Sequence, residues 1–445
     1  MQPETNVAVV LYRREANSYH VSMDQTSFET RRQHELQDRD QLATHQLAKL
    51  NQLLDSILPS NRFYEDKLSK LDLPLNSLDD LQQLPFTTKD ELTGKQTSQY
   101  ARNLTFPVDH YVRFHRTSGT SGRPLAVLDT ENDWRWWIAT WQYVLDVAKI
   151  TEEDRAAMAF SFGPFIGFWS AHEALVDRGC MVLPCGGMSS LARLELLIEN
   201  KATALCCTPS YALHLSSVAK ENKLDIGSSS VRSIIVAGEP GGSIPAIRKR
   251  IEQAWQAKLI DHAGATEIGP WGYDDGGQGL RIIESEFIPE FLRVGTDEPA
   301  ADGELAELIL TTLGRIGAPV IRYRTGDLVR PDRQVGSPNH FVRLTGGVLG
   351  RVDQMVIVRG VNIYPSAIEQ ILRSVPEIKE YRMLASKSGE MDDLTIEVED
   401  QLESPQRISD LLTIRLGLRI VVRCVPSGSL PRSEHKGQRF IDQRT

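Results

Sequence analysis

From Thr30 to Leu58, apolar side chains recur at three- and four-residue steps, with Leu42, Leu47, Leu50, Leu53, Leu54 and Ile57 on one stripe. That period predicts an amphipathic helix. Phe63–Leu68 continues it, and in Leu84–Leu92 either Thr87 or Thr88 is placed to cap a helix whose first turn carries Asp90 and Glu91. Tyr111–His115 and Leu125–Leu128 read as strands around a polar loop. Trp134, Trp136, Trp137, Trp141 and Tyr143 then fall at helical spacing, a stripe more often core than ligand site. Short apolar runs follow at Met181–Pro184, Ala204–Thr208, Ser233–Ala237 and Lys258–His262, alternating with helical stretches. This is the rhythm of a mostly parallel sheet covered by helices.

From Gly303 the rhythm becomes shorter and richer in strands. Glu304–Thr311 and Pro319–Tyr323 predict a small barrel-like subdomain. Thr345–Gly350 reads as a linker. Beyond it Gln354–Arg359, Tyr381–Ala385, Leu394–Val398 and Arg419–Val425 read as strands, and Pro365–Arg373 and Ile408–Leu416 as helices. Ser366 and Glu369 have the spacing of a capping box. The expected fold class is therefore α/β. A large N-terminal domain (28–346) carries mostly parallel, helix-covered sheets and a small β subdomain. A hinge (347–353) leads to a small α+β C-terminal domain (354–445), and residues 1–27 form a flexible extension.

Length and composition narrow the setting. A chain of 445 residues is too long for one core, and 41% hydrophobic with 24% charged residues is ordinary for a soluble globular protein. A net charge of −9 gives no electrostatic reason to expect nucleic acid or an anionic membrane as partner. Five cysteines (Cys180, Cys185, Cys206, Cys207, Cys424) fit neither a disulfide framework nor a metal pattern, so free thiols in a reducing cytoplasm are expected. Val7–Leu11 is too short for a signal-peptide core, and runs such as Met158–Ala171 are broken by Pro and Gly. A homodimer stays open.

Chemistry concentrates in a few stretches. Thr117-Ser118-Gly119-Thr120-Ser121-Gly122-Arg123-Pro124 can wrap an anion, because glycine lets the backbone turn and N–H and hydroxyl donors converge. It is not a Walker A loop, and a plain surface hairpin has similar composition. Phe160–Trp169 mixes aromatics, glycines and a proline, as the wall of an apolar cleft or as ordinary packing. Gly238-Glu239-Pro240 follows a strand, where ligands of open α/β sheets sit and where simple turns also occur. In His262–Glu267, Thr266 offers a hydroxyl to phosphate and Glu267 a hard oxygen to Mg2+. Asp327, ending Arg322–Asp327, can accept two ribose hydroxyls or cap a turn.

Taken in order with Gly350–Asp353 and Leu430–Lys436, these stretches resemble the core motifs of the acyl-adenylate-forming enzymes. Leu84–Leu92 resembles a signature of the phenylacetate–CoA ligase branch. The resemblance implies that ATP with Mg2+ activates a carboxylic acid, aromatic or arylacetic, as acyl-AMP with loss of pyrophosphate. The acyl group then passes to coenzyme A. It implies that Lys436, Thr266, Glu267 and Arg351 act in catalysis, with Glu267 holding Mg2+. Residues 117–122, Gly238, Glu239, Pro240, His262 and Asp327 would bind the nucleotide. Phe162, Gly163, Phe165, Trp169, Gly264 and Ala265 would line the acyl pocket. Asp353 would be the hinge of a mobile C-terminal domain, and Gly360 would flank the CoA channel.

Departures are also visible. His262 stands where an aromatic residue is usual, and His435 where glycine is usual. Tyr273–Gly279 lacks the cysteines of some relatives, so zinc is not expected. Two other readings compete: adenylation followed by transfer to an amine or carrier, and an inactive nucleotide- or acyl-binding protein.

Overall fold

The computed structural model describes residues 27–94, 99–117, 124–160, 162–333, 337–352, 356–358, 361–388, 391–416, 418–431 and 439–444. Ser118, Gly119, Thr120, Ser121, Gly122, Asp353, Gly360 and Lys436 lie outside the described residues, as does the segment 1–26.

Among the described residues, nine strands form the largest sheet. Its parallel half runs Lys258–Ala265, Ser233–Val236, Ala204–Cys207, Arg155–Met158 and Met181–Pro184. Ala204–Cys207 and Ser233–Val236 are buried at every position, so they appear in the sequence as unbroken apolar runs. The helices Trp169–Asp177, Ser190–Glu199, Pro209–Glu221 and Pro245–Trp255 fall between these strands in the chain. Beyond Lys258–Ala265 the sheet turns antiparallel through Gly269–Asp274, Gly279–Ile282, Arg343–Thr345 and Pro331–Asp332. Helix Glu131–Val147, capped by Thr130 in a box with Asp133, buries Trp134, Trp136, Trp137 and Trp141.

A second sheet is antiparallel, in the order Phe287–Arg293, Ala306–Thr312, Tyr323–Val329 and Gly350–Arg351. The third groups Val361–Ile363, Val356–Val358, Met391–Asp400, Ile378–Ser388 and Phe440–Asp442, with Val421–Cys424 on Met391–Asp400. With helices Pro365–Arg373 and Pro405–Leu416 it encloses a separate core that includes Ile368, Leu372, Met383, Ile396 and Leu412.

Four expectations change in detail. The helix expected from Thr30 to Leu58 is two, Phe28–Leu36 and Arg39–Ile57, because Asp38 is extended and caps the second in a box with Gln41. The strand expected at Pro319–Tyr323 is Tyr323–Val329, because Arg322 takes a left-handed φ of 48° and interrupts the ladder. Lys258–His262 extends to Ala265, since Gly269–Asp274 folds back and pairs with it. The capping box at Ser366 and Glu369 does not form. Pro365 starts that helix, Ser366 Oγ is buried without a hydrogen-bond partner among the described residues, and Glu369 accepts hydrogen bonds from Arg373 and Tyr381 instead. At 87–93 the cap is Thr88, boxed with Glu91.

Candidate active site

The hydroxyl- and glycine-rich loop is carried by a hairpin, Tyr111–Arg116 paired antiparallel with Ala126–Thr130. Thr117 closes its base: its N–H donates to the Leu125 carbonyl, and its Oγ1 accepts from the Leu125 N–H, both at 2.9 Å. One strand reaches the aromatic stretch directly, where the Arg116 N–H meets the Pro164 carbonyl at 2.5 Å. The other is tied to the main sheet by a fully buried charge. Arg315 donates to Asp129 (2.8 Å from Nε) and to the Thr266 carbonyl (3.1 Å). Burial alone would raise the Asp129 pKa, but Arg315 and His115 outweigh it and hold the carboxyl below its ordinary value. The strand Ala126–Thr130 and Thr266 are thus linked through the side chains of Asp129 and Arg315.

Thr266 and Glu267 follow the extended strand Lys258–Ala265, which ends in the expected pocket residues Gly264 and Ala265. Glu267 is oriented by Tyr323, whose hydroxyl donates to Oε1 at 3.0 Å. The remaining oxygen makes no hydrogen bond to a described residue, which leaves it available to a hard cation. Tyr323 opens the strand that carries Asp327, and Arg351 comes alongside from the neighbouring strand. Arg351 Nη1 lies 3.1 Å from Asp327 Oδ1 and 3.2 Å from the Thr325 carbonyl. Gly326, at φ 72°, leaves room for that guanidinium, which would stand 3.0 Å from a Cβ there. Four motif residues far apart in sequence, Thr266, Glu267, Asp327 and Arg351, are therefore joined by Tyr323 and the small sheet.

The aromatic stretch forms a cluster of edge contacts. Phe162 meets Trp169 at 4.6 Å between centroids, and Phe160 meets Phe165 and Phe168 at 5.7 and 5.1 Å. The Trp169 indole N–H donates to the Gly163 carbonyl at 3.1 Å, fixing the turn. Phe168 continues to Trp141, and Trp141 to His262 at 4.2 Å. His262 is buried, and its Nδ1 donates to the Gly272 carbonyl at 2.7 Å. Burial lowers its pKa to about 4, so the ring is neutral at physiological pH. Trp141 occupies one side of the ring, and Nε2 points toward Gly264, 3.4 Å from where a Cβ would stand.

Gly238-Glu239-Pro240 follows Ser233–Val236, with Gly238 at φ 91°. Glu239 Oε1 accepts from the Ser210 N–H at the start of helix Pro209–Glu221, at 2.7 Å. Its other oxygen lies 3.5 Å from Arg439 of the third sheet. Nearby, Asp261 is buried, bonded by Ser243 at 2.5 Å, and pushed by burial to a pKa of about 6. Arg315, Asp129, Tyr323, Ser243 and Arg439 did not stand out in the sequence. Only Tyr323 carried a signal, its place inside a recognised motif.

Residues 360–444 match the family model described as AMP-binding enzyme C-terminal domain. The chain is similar to 2-hydroxyisobutyryl-CoA ligase, at 26% identity over 96% of this chain and 94% of that one. Against that ligase in the postadenylation state with 2-HIB-AMP the TM-score is 0.86. Against it in the thioesterification state with 2-HIB-AMP and CoA the score is 0.70. Fold and site thus define an AMP-forming acid–CoA ligase. The phenylacetate-coenzyme A ligase of Pseudomonas putida is 29% identical over 91% of this chain and 95% of its own length. That of Escherichia coli K12 is 31% identical over 82% and 86%. The chain belongs to the phenylacetate-coenzyme A ligase family.

Proposed function

We propose that the acid this ligase activates is aromatic or arylacetic. The observation that carries the reading is the ring cluster Phe160–Phe162–Phe165–Phe168–Trp169, which touches the base of the loop hairpin at Arg116–Pro164. Rings prefer edge-to-face partners, and this wall offers several.

In the reaction the acid's carboxylate attacks the α-phosphorus of ATP, pyrophosphate leaves, and the CoA thiol then displaces AMP from the mixed anhydride. No protein nucleophile is needed; alignment and neutralisation of charge are. Residues 117–122 and Thr266 restrain the phosphates, Asp327 accepts the ribose hydroxyls, and Lys436 bridges carboxylate and α-phosphate. Arg351, held by Asp327 and the Thr325 carbonyl, supplies fixed positive charge beside the nucleotide. Glu267 suits Mg2+ because Tyr323 orients one oxygen and leaves the other open. Bound there with ATP, Mg2+ would neutralise phosphate charge. Gly238–Pro240 borders the adenine, and Gly360 the CoA channel. The smaller unit beyond the 347–353 hinge presents one face for each step, and the higher similarity to a postadenylation structure supports the arrangement described here.

The test is acid-dependent ATP–pyrophosphate exchange across a panel of carboxylic acids, followed by CoA and detection of the thioester. Arylacetates and benzoates should exceed aliphatic acids of equal length. Exchange confined to aliphatic acids would overturn the substrate class, and exchange without thioester would favour an amine or carrier as acceptor.

A further inference from the structure

Arg439 stands at the junction between the two units, three residues after Lys436 in the sequence. Its backbone is fixed within the smaller unit, where the Met383 N–H donates to its carbonyl at 2.7 Å and Phe440–Asp442 pairs with Ile378–Ser388. Its guanidinium is held there as well. Nε and Nη2 donate to Glu380 at 2.7 and 3.1 Å, and the group lies 5.5 Å from the Tyr381 ring. The third nitrogen crosses to the larger unit and faces Glu239 at 3.5 Å.

Glu239 is held more lightly on its own side, its Oε2 making no hydrogen bond among the described residues. Its Oε1 is bound by the Ser210 N–H at the start of a 13-residue helix, where a negative charge is favoured. Each charge therefore keeps a partner when the contact between them is broken. An ordinary buried ion pair cannot part cheaply, because separation strands a desolvated charge. This one can. Arg373 of the smaller unit also feels the Glu239 charge, but Arg250 of the larger unit repels it, which leaves Arg439 as the directional contact.

We infer that Arg439 is a positioning residue for adenylation: its contact with Glu239 docks the smaller unit against the loop Gly238–Pro240 and is released for the thiol step. The inference rests on the two-step reading above. It adds that the same loop serves both the nucleotide and the docked unit.

Two substitutions on opposite sides of the contact, Arg439→Gln and Glu239→Gln, test it. Acid-dependent pyrophosphate exchange should fall about fivefold in Arg439→Gln, the upper scale of one ion pair. Thioester formation from supplied acyl-adenylate and CoA should be retained. In the double variant the loss should match a single one. Equal loss in both half-reactions, or additive losses, would mean that Arg439 only stabilises its own unit through Glu380, and would overturn the inference. Unchanged exchange in a folded variant would overturn it too. Small-angle scattering of the same proteins reads the docked arrangement without turnover. Arg439→Gln should be more extended than wild type, and an unchanged profile counts against the contact. Should wild type itself show no exchange with any acid, the substrate reading fails and scattering alone decides the docking contact.

Discussion

Adjacent residues on one strand titrate in opposite senses. His262 has a folded pKa of about 4, below its ordinary 6.5, because burial disfavours its charge. Between those values the unfolded chain binds more protons, so His262 makes the fold more stable as pH rises from 4 to 6.5. Asp261, buried and pushed up to about 6, does the reverse: the fold holds a proton that the unfolded chain has lost, and stability falls as pH rises toward 6. Each effect is on the order of 3 kcal/mol at full extent, from about 1.4 kcal/mol per unit. His262→Gln should therefore leave Asp261 uncompensated, and urea midpoints of the variant should decline from pH 4 to pH 6 while those of wild type stay flatter. A parallel shift at all pH values would show that the imidazole's titration does not matter. At Asp327 the expectation is functional. Asp327→Ala should weaken ATP binding by roughly 1–3 kcal/mol without lowering the melting temperature, since two hydroxyls lose a charged acceptor. Unchanged nucleotide affinity would reduce Asp327 to a partner for Arg351.

Elements were legible where both faces are buried. Ala204–Cys207 and Ser233–Val236 announce themselves because no water-facing position interrupts them, whereas the tryptophan stripe reads as core from its helical spacing. Element ends were less legible, because they depend on partners elsewhere. Lys258–Ala265 is long only because Gly269–Asp274 returns to it, and the helix at Pro365 overrides a capping pattern that begins one residue later. The site divided in the same way. Thr266, Glu267, Asp327 and Arg351 could be named from their motifs, whereas Arg315 could not: its carboxylate partner is 186 positions away. Its importance is testable. Arg315→Met should cost about 3–5 kcal/mol by urea unfolding, because Asp129 would remain charged and buried. Removing both charges, with Asp129→Leu added, should recover part of that loss. A double variant as weak as the single would place the cost in packing rather than charge.

For the molecule as a whole, adenylation and thiol transfer make incompatible demands on one acyl carbon. A single closed arrangement cannot serve both, and rotation about the segment 347–353 is the proposed resolution. Asp353→Pro, which fixes φ near −65° and removes a donor, should leave pyrophosphate exchange largely intact while thioester formation falls steeply. Parallel loss of both activities would count against alternation. The division into two units has a further consequence, for synthesis rather than catalysis. Every strand of the nine-stranded sheet has been made once Thr345 emerges from the ribosome. The six-stranded sheet waits for Phe440–Asp442, which pairs with a strand laid down some fifty residues earlier. Domains fold as units during translation, the N-terminal one first. The larger unit thus matures while its future partner is still an open ribbon, and Glu239 waits for a guanidinium that is made 200 residues later.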